Sequence, residues 1–528
     1  MFYTKIILQG KCYDTDTIFS QFPLINSKKF TIANLTILCE NIIKNKSIKY
    51  VFIEYDTTFS CMMGQLEQIY NLLKRMTVHG KKTIFFSSDY NEKALYLSGA
   101  CSKRIMPECG RLAFLGFKRQ FSYLKNLLEK LNIEANVIRR GKFKGAADIF
   151  RLDKIDEAQK TAHSRILEVF DETAKKTICS SFNFSQEFFN ENIEGKIIWA
   201  QEAKKLGIID EISHLQQYIN KKEKEEKIHK YTFKKLKSRF GKGRKVAVLY
   251  FDGGIKDGEN DANSPLGEEI GDRYMIKQIE KIRKNKRIKS LIFKVNSPGG
   301  SATASDAIAN ALLELKKEKD LIVVQSGVAG SGGYYISFPA EKIFTQNTTI
   351  TGSIGVISVF FNMKDFYERF GITHSTLKTH EYADIETTTR KKTEEELKLL
   401  DSLIENIYNG FLSNVAKNRN KTVEQIDEVA QGRIWAGIDA IKIGLADEIG
   451  DLHSALDYLK EKHKTKNLSV EFYPKRKVSF ISKLISPKED LSFERSIVNL
   501  LNIENYIKRN NYKILAMYPE IFLTDFYI

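Results

Sequence analysis

Short, continuous apolar runs alternate along this chain with longer stretches whose apolar positions recur every three or four residues. In the second half, SLIFKV (290–295) and LIVVQS (321–326) read as strands, 342–345 as another, and 302–317 as a helix carrying Ile308, Leu312 and Leu315 on one face. A strand that is apolar without alternation is buried on both faces, as in a parallel sheet covered by helices. The stretch 393–416 predicts a long helix, and strands are expected to open at 5–9 and 246–251. The pattern predicts an α/β fold built on a mostly parallel sheet with flanking helices.

The pattern occurs twice. Ser47–Asp56 (SIKYVFIEYD) is matched 240 residues later by Arg287–Asn296 (RIKSLIFKVN). Tyr96-Leu97-Ser98 matches Tyr335-Ile336-Ser337, and Gly207-Ile208-Ile209-Asp210-Glu211 matches Gly444-Leu445-Ala446-Asp447-Glu448. The two tryptophans, Trp199 and Trp435, take equivalent places in Ile-Trp-Ala. So steady an offset indicates a tandem duplication. The expected division is residues 1–220 and 246–474 as the two copies. A charged linker at 221–245 and a basic, aromatic tail at 475–528 complete it.

Composition narrows the class. With 528 residues, 42% apolar and 28% charged, the chain is globular and too long for one ordinary domain. The net charge of +17 permits an anionic partner without requiring one, since Lys is abundant throughout. Six scattered cysteines form neither a CxxC pair nor a zinc spacing, so buried thiols are expected rather than a disulfide frame. No export signal or membrane-spanning run is expected, since the opening strand leaves no room for an anchor.

Two glycine-rich segments follow strands in the second copy. Asn296-Ser297-Pro298-Gly299-Gly300-Ser301 opens a helix, where paired glycines let backbone N–H groups face an anion or an oxyanion. Gly330-Ser331-Gly332-Gly333 would present a hydroxyl beside backbone N–H groups at a strand-to-helix turn. Neither segment carries a nucleotide-binding pattern. Both lie at the ends of consecutive strands, where open α/β sheets bind ligands. A serine nucleophile needs a base. None of the eight histidines sits in a triad motif, and many lysines are available, so the residues alone do not choose one.

In combination, NSPGGSATAS, VAGSGGYYIS, TGSIGV and GRIWAGIDAIKIGLADEIG resemble the signature segments of the signal peptide peptidase A (protease IV) family, in its long tandem-repeat form. The resemblance implies two crotonase/Clp-protease-like repeats and a Ser/Lys-dyad peptidase acting on cleaved signal peptides and other short or unfolded polypeptides. It implies Ser331 as nucleophile and Lys144, in Gly141-Lys142-Phe143-Lys144-Gly145-Ala146, as general base. Ser353 would orient the lysine, and Gly332 and Gly299, with Gly300 beside them, would supply oxyanion donors. The repeat register agrees: Lys144 falls on Ala383, Ser331 on Glu92, and Asn296–Gly300 on Asp56–Ser60, so each copy holds what the other lacks.

No metal, cofactor or nucleic acid is expected. The implied partners are peptide substrates and other copies of the chain, in a homotetramer. The basic linker would allow peripheral contact with an anionic membrane, which leaves a cytoplasmic or membrane-peripheral location. Two other readings stay open: an acyl-CoA enzyme of the crotonase type, and an inactive peptide-binding scaffold.

Overall fold

The computed structural model describes residues 1–15, 30–233, 239–261, 264, 268–474 and 515–517. The tail expected from 475 onward therefore lies outside the described residues except for 515–517, as do 234–238 of the charged stretch.

In the first copy β1 (Phe2–Leu8), β2 (Ile48–Tyr55), β3 (Lys82–Phe86) and β4 (Lys103–Met106) pair in parallel. A further strand, β5 (Glu134–Arg140), does not join them. β6 (Glu211–Ile212) and β7 (His229–Lys230) complete the sheet in the order β6-β4-β3-β2-β1-β7. The helices include α1 (Ile32–Lys44), α2 (Met63–Val78) and the long α3 (Glu157–Phe182). Thr31 caps α1 by accepting a hydrogen bond from the Asn34 amide, and Asp156 caps α3 in the same way.

The second copy repeats this order. Its strands are β8 (Arg244–Asp252), β9 (Gly254–Lys256), β10 (Ile288–Ser297), β11 (Gly299–Ser301), β12 (Asp320–Gly330) and β13 (Lys342–Thr345). They continue with β14 (Ile350–Gly352), β15 (Val356–Asn362), β16 (Ile434–Ala436), β17 (Glu448–Ile449) and β18 (Leu468–Tyr473). The main sheet runs β17-β13-β12-β10-β8-β18 in parallel, and Arg239–Gly241 adds an antiparallel edge. Strand for strand this is the order of the first copy, as a duplication requires. The helices include α4 (Asp272–Lys284), α5 (Ala302–Lys316), the single turn α6 (Gly332–Tyr335) and α7 (Glu394–Arg419). The central strands of both sheets (β2 and β3, and β8, β10 and β12) are largely buried, which explains their long apolar runs, while the edge strands β6, β7 and β17 are exposed or half-exposed.

The copies are joined in two ways. Their cores merge: Val328, Ile350, Ile434 and Ala436 pack into the first copy's core, and Ala33 and Ile37 of α1 pack against Val246, Val248 and Leu456. They also share a sheet. β5 of the first copy pairs antiparallel with β15 of the second, from Glu134↔Asn362 to Arg140↔Val356. That sheet continues through β11 and β9 to Glu269–Gly271, and β19 (Leu515–Met517) lies between β15 and β11.

A helix over Leu215–Glu226 runs into the charged stretch and is followed by β7 on the edge of the first sheet. All six cysteines are free thiols; Cys12, Cys39, Cys61 and Cys101 are buried. Among the described residues no helix is long and apolar enough to cross a membrane.

Candidate active site

Ser331 sits at the turn between β12 and α6 with φ 56° and ψ −118°. A residue with a side chain holds such a conformation only where its surroundings enforce it. Here the Ser331 amide donates to the Gly352 carbonyl at 2.8 Å, and β14 flanks β12 along Val328–Gly330. The turn lifts the hydroxyl off the end of the sheet, with the Gly332 amide in the first helical turn, where no intrahelical acceptor exists.

Gly299 has φ 103°, which favours glycine. A Cβ on Gly332 would lie 3.2 Å from the Gly299 Cα and 2.6 Å from the Ser305 Oγ, so the two glycine loops are packed directly together. The Gly299 amide rests on the Ser297 Oγ at 3.2 Å. Gly300 pairs with Ile255 of β9, and a Cβ there would fall 2.0 Å from the Ile255 carbonyl oxygen.

Lys144 arrives from the other copy. The β5–β15 ladder ends at Arg140↔Val356, and the chain turns at Gly141 (φ 101°) into the segment bearing Lys144. Its side chain is fully buried. The Lys144 Nζ lies 2.6 Å from the Ser331 Oγ, 2.9 Å from the Ser353 carbonyl oxygen and 3.1 Å from the Ser353 Oγ. Ser353 also has a positive φ, 51°, fixed by its amide donating to the Arg433 carbonyl at 2.7 Å. Burial pushes the Lys144 amine well below the usual lysine range, because its charged form would lose hydration.

The neighbouring cations point elsewhere. Lys142 is exposed, Arg140 forms a fork with Asp401, and Arg139 pairs with Asp148. In the first copy Glu92 stands at the register of Ser331, and its carboxylate accepts from the Leu115 and Gly116 amides. Ala383, at the register of Lys144, is exposed. Among the described residues no cluster of His, Cys, Asp or Glu could hold a metal ion.

Sequence reasoning overlooks the turn at Gln431–Gly432. The Phe143 amide donates to the Gln431 carbonyl at 2.8 Å, and the Gly432 amide donates to the Ile354 carbonyl at 2.7 Å. Gly355 is pressed between the Arg140 carbonyl and Gly432. This turn therefore clamps the lysine segment against the strand that follows Ser353. The sequence signal was Gly432, which opens the signature segment GRIWAGIDAIKIGLADEIG.

The profile of peptidase family S49 matches residues 76–229 and again 313–466, and that of Clp protease matches 263–351. The chain is 29% identical over 442 residues to the chloroplastic serine protease SPPA of Arabidopsis thaliana, covering 80% of this chain and 65% of that protein. It is 29% identical over 419 residues to Protease 4 of Salmonella typhi, covering 76% and 67%. To Protease 4 of Haemophilus influenzae it is 26% identical over 445 residues, covering 77% and 70%. The match thus spans about two thirds of the length of these relatives.

Proposed function

The chain belongs to peptidase family S49, and from that membership and the site's geometry we propose that it hydrolyses peptide bonds in extended polypeptides, with Ser331 as nucleophile and Lys144 as general base. The observation that carries the proposal is the 2.6 Å approach of Lys144 Nζ to Ser331 Oγ, with both side chains fully buried. A neutral amine has two N–H groups and one lone pair. Lys144 Nζ has three oxygen partners; in the proposed neutral form the Ser353 carbonyl and hydroxyl oxygens accept its two N–H groups, and the Ser331 O–H donates to its lone pair. An ammonium would have no lone pair left to receive the proton.

The chemistry then runs without a metal. Lys144 takes the Ser331 proton as the oxygen attacks the substrate carbonyl. The Gly332 amide holds the oxyanion, joined by the Gly299 amide as it turns from the Ser297 Oγ, a contribution of about 3 kcal/mol for one such donor. Lys144 returns the proton to the leaving amine. Lys144 then deprotonates a water, which attacks the acyl ester; the C–Oγ bond breaks, the acid product leaves, and Lys144 returns the proton to Ser331 Oγ. Ser353 is the orienting group.

The slot between β11 and β15 supports an extended substrate. The chain's own β19 lies there, with Gly299↔Met517, Gly300↔Ala516 and Ser301↔Leu515 antiparallel. Backbone pairing of this kind is indifferent to sequence and suits cleaved signal peptides and unfolded segments. The proposal extends to a homotetramer with its sites turned inward. It also includes peripheral contact of the basic 221–245 stretch with anionic membrane. Division of the chain into two repeats, a charged connection between them and a tail is kept with it. Cleavage of casein and of a signal peptide by the wild type, Ser331→Ala and Lys144→Ala tests the core claim. Activity of Ser331→Ala equal to wild type would overturn it.

A further inference from the structure

Beneath the two glycine loops lies a polar chain, half-buried at Asn296 and buried from Asp252 inward, that the reaction itself does not use. Asn296 is the next-to-last residue of β10, three residues before Gly299. Its Nδ2 donates to the Asp252 Oδ1 at 2.8 Å, and its Oδ1 accepts from the Val328 amide at 3.0 Å. Val328 is three residues before Ser331. One side chain thus ties the base of the Gly299 loop to the base of the Ser331 turn. Asp252, at the end of β8 and almost fully buried, accepts on its other oxygen from the backbone amides of Asp14 and Thr15 in the first copy.

Asp14 is itself anchored. Its Oδ1 accepts from the Gln65 Nε2 and the Ser326 Oγ, and Lys294 Nζ lies 3.3 Å from its Oδ2. Lys294 also donates to Gln68 Oε1 of α2. The network therefore reaches from α2 of the first copy to both loops of the second. Every hydrogen bond in the central part has one allowed direction: two backbone amides into Asp252, the Asn296 amide into Asp252, and the Val328 amide into Asn296.

We infer that Asn296 and Asp252 are positioning residues that set the spacing of the Gly299 loop and the Ser331 turn, and that the 14–15 turn of the first copy is part of this device. The inference rests on the proposed peptidase reading. It gives Asn296 a reason beyond turn geometry: only a side chain with one donor and one acceptor at this point satisfies both Asp252 and Val328. A buried donor facing a donor is destabilised and moves, and the loops move with it.

The directionality supplies the test. In Asp252→Asn, the new amide must turn its oxygen to the residue 14 and 15 amides, so its NH2 meets the Asn296 NH2. Flipping Asn296 only transfers the conflict to the Val328 amide. In Asn296→Asp, two carboxyl groups face each other; burial and the Asp14 charge already hold the Asp252 carboxyl up to about 7, so the variants are compared at about pH 9, where a shared proton is least able to bridge the pair. The double variant Asp252→Asn/Asn296→Asp restores every bond with donor and acceptor exchanged. Steady-state hydrolysis of a fluorogenic peptide by the full chain is to be measured for both single variants and the double, with Ser331→Ala as control. The single variants are expected to lose ten- to hundredfold in kcat with KM changed less than threefold, and the double to recover at least tenfold over the weaker single. A double no faster than the weaker single, or single variants equal to wild type, overturns the inference. If a single variant does not fold, Asn296→Ala replaces it, since it removes both bonds without a facing charge or donor; wild-type kcat in that variant also overturns the inference. Wild-type hydrolysis that survives in Ser331→Ala is a different failure, that of the peptidase reading.

Discussion

Gly432 stands so close to Lys144 that a Cβ on the glycine would lie 2.6 Å from the lysine's Cβ. Its φ of 73° independently disfavours any side chain. Gly432→Ala should therefore displace the lysine as well as strain the turn. The expected result is a loss of about 1–3 kcal/mol in stability and a fall in kcat well beyond what the reduced folded fraction explains. Thermal melts and peptide kinetics on the same preparation separate the two.

Ser331→Ala and Lys144→Ala should each lower kcat/KM by at least about 10³-fold, and the double variant little more than either alone, because residues acting as a unit are not additive. Circular dichroism should show the fold retained. Additive losses would mean that the two residues serve separate steps.

The pH dependence follows from burial of Lys144. The reaction needs its neutral form, so activity should rise with pH along a limb lying well below 10.5. Stability moves in the same direction. Between the lowered folded value and the ordinary lysine value the unfolded chain binds the extra proton, so folding gains as pH rises and loses as it falls. Lys144→Met lacks this contribution. The wild type should therefore gain in melting temperature relative to Lys144→Met as pH rises from 6 to about 10. A constant difference would show that Lys144 is charged in the folded protein.

Arg140 offers a contrast. Its fork to Asp401 and its contact with Glu405 join the copies beside the site, yet all three side chains are partly exposed. Arg140→Ala should cost under about 1 kcal/mol and keep kcat within threefold of wild type. The lysine segment is held by the β5–β15 backbone ladder and the Gln431–Gly432 turn, and neither needs the guanidinium. A large loss of activity would assign the positioning to the ion pair instead.

Much of the fold was legible because burial on both faces writes itself as unbroken apolar strands and because duplication writes everything twice. SLIFKV and LIVVQS are neighbours in the main sheet, and 302–317 is α5 to within one residue. The peptidase class was legible in the signature segments. The path of β5 was not. Nothing in EANVIRR names a partner more than 200 residues away, since backbone pairing leaves no mark on side-chain identity. Lys294 and Asp14 were hidden for another reason. A lysine in a strand reads as solvent-facing, whereas here it is 1% exposed against an aspartate that is fully buried. The Gln431–Gly432 clamp was hidden because it acts through backbone hydrogen bonds to Phe143 and Ile354, which no side chain announces.

The shared sheet also bears on how such a protein comes into being at the ribosome. The amine emerges with the earlier half and the hydroxyl with the later one. On the proposed mechanism, a nascent polypeptide holding only residues up to Arg140 and beyond, but not yet Val356–Asn362, has no working scissors. Hydrolytic power would arrive only when the late strand docks on the early one, so assembly of the pair doubles as a safety catch during synthesis.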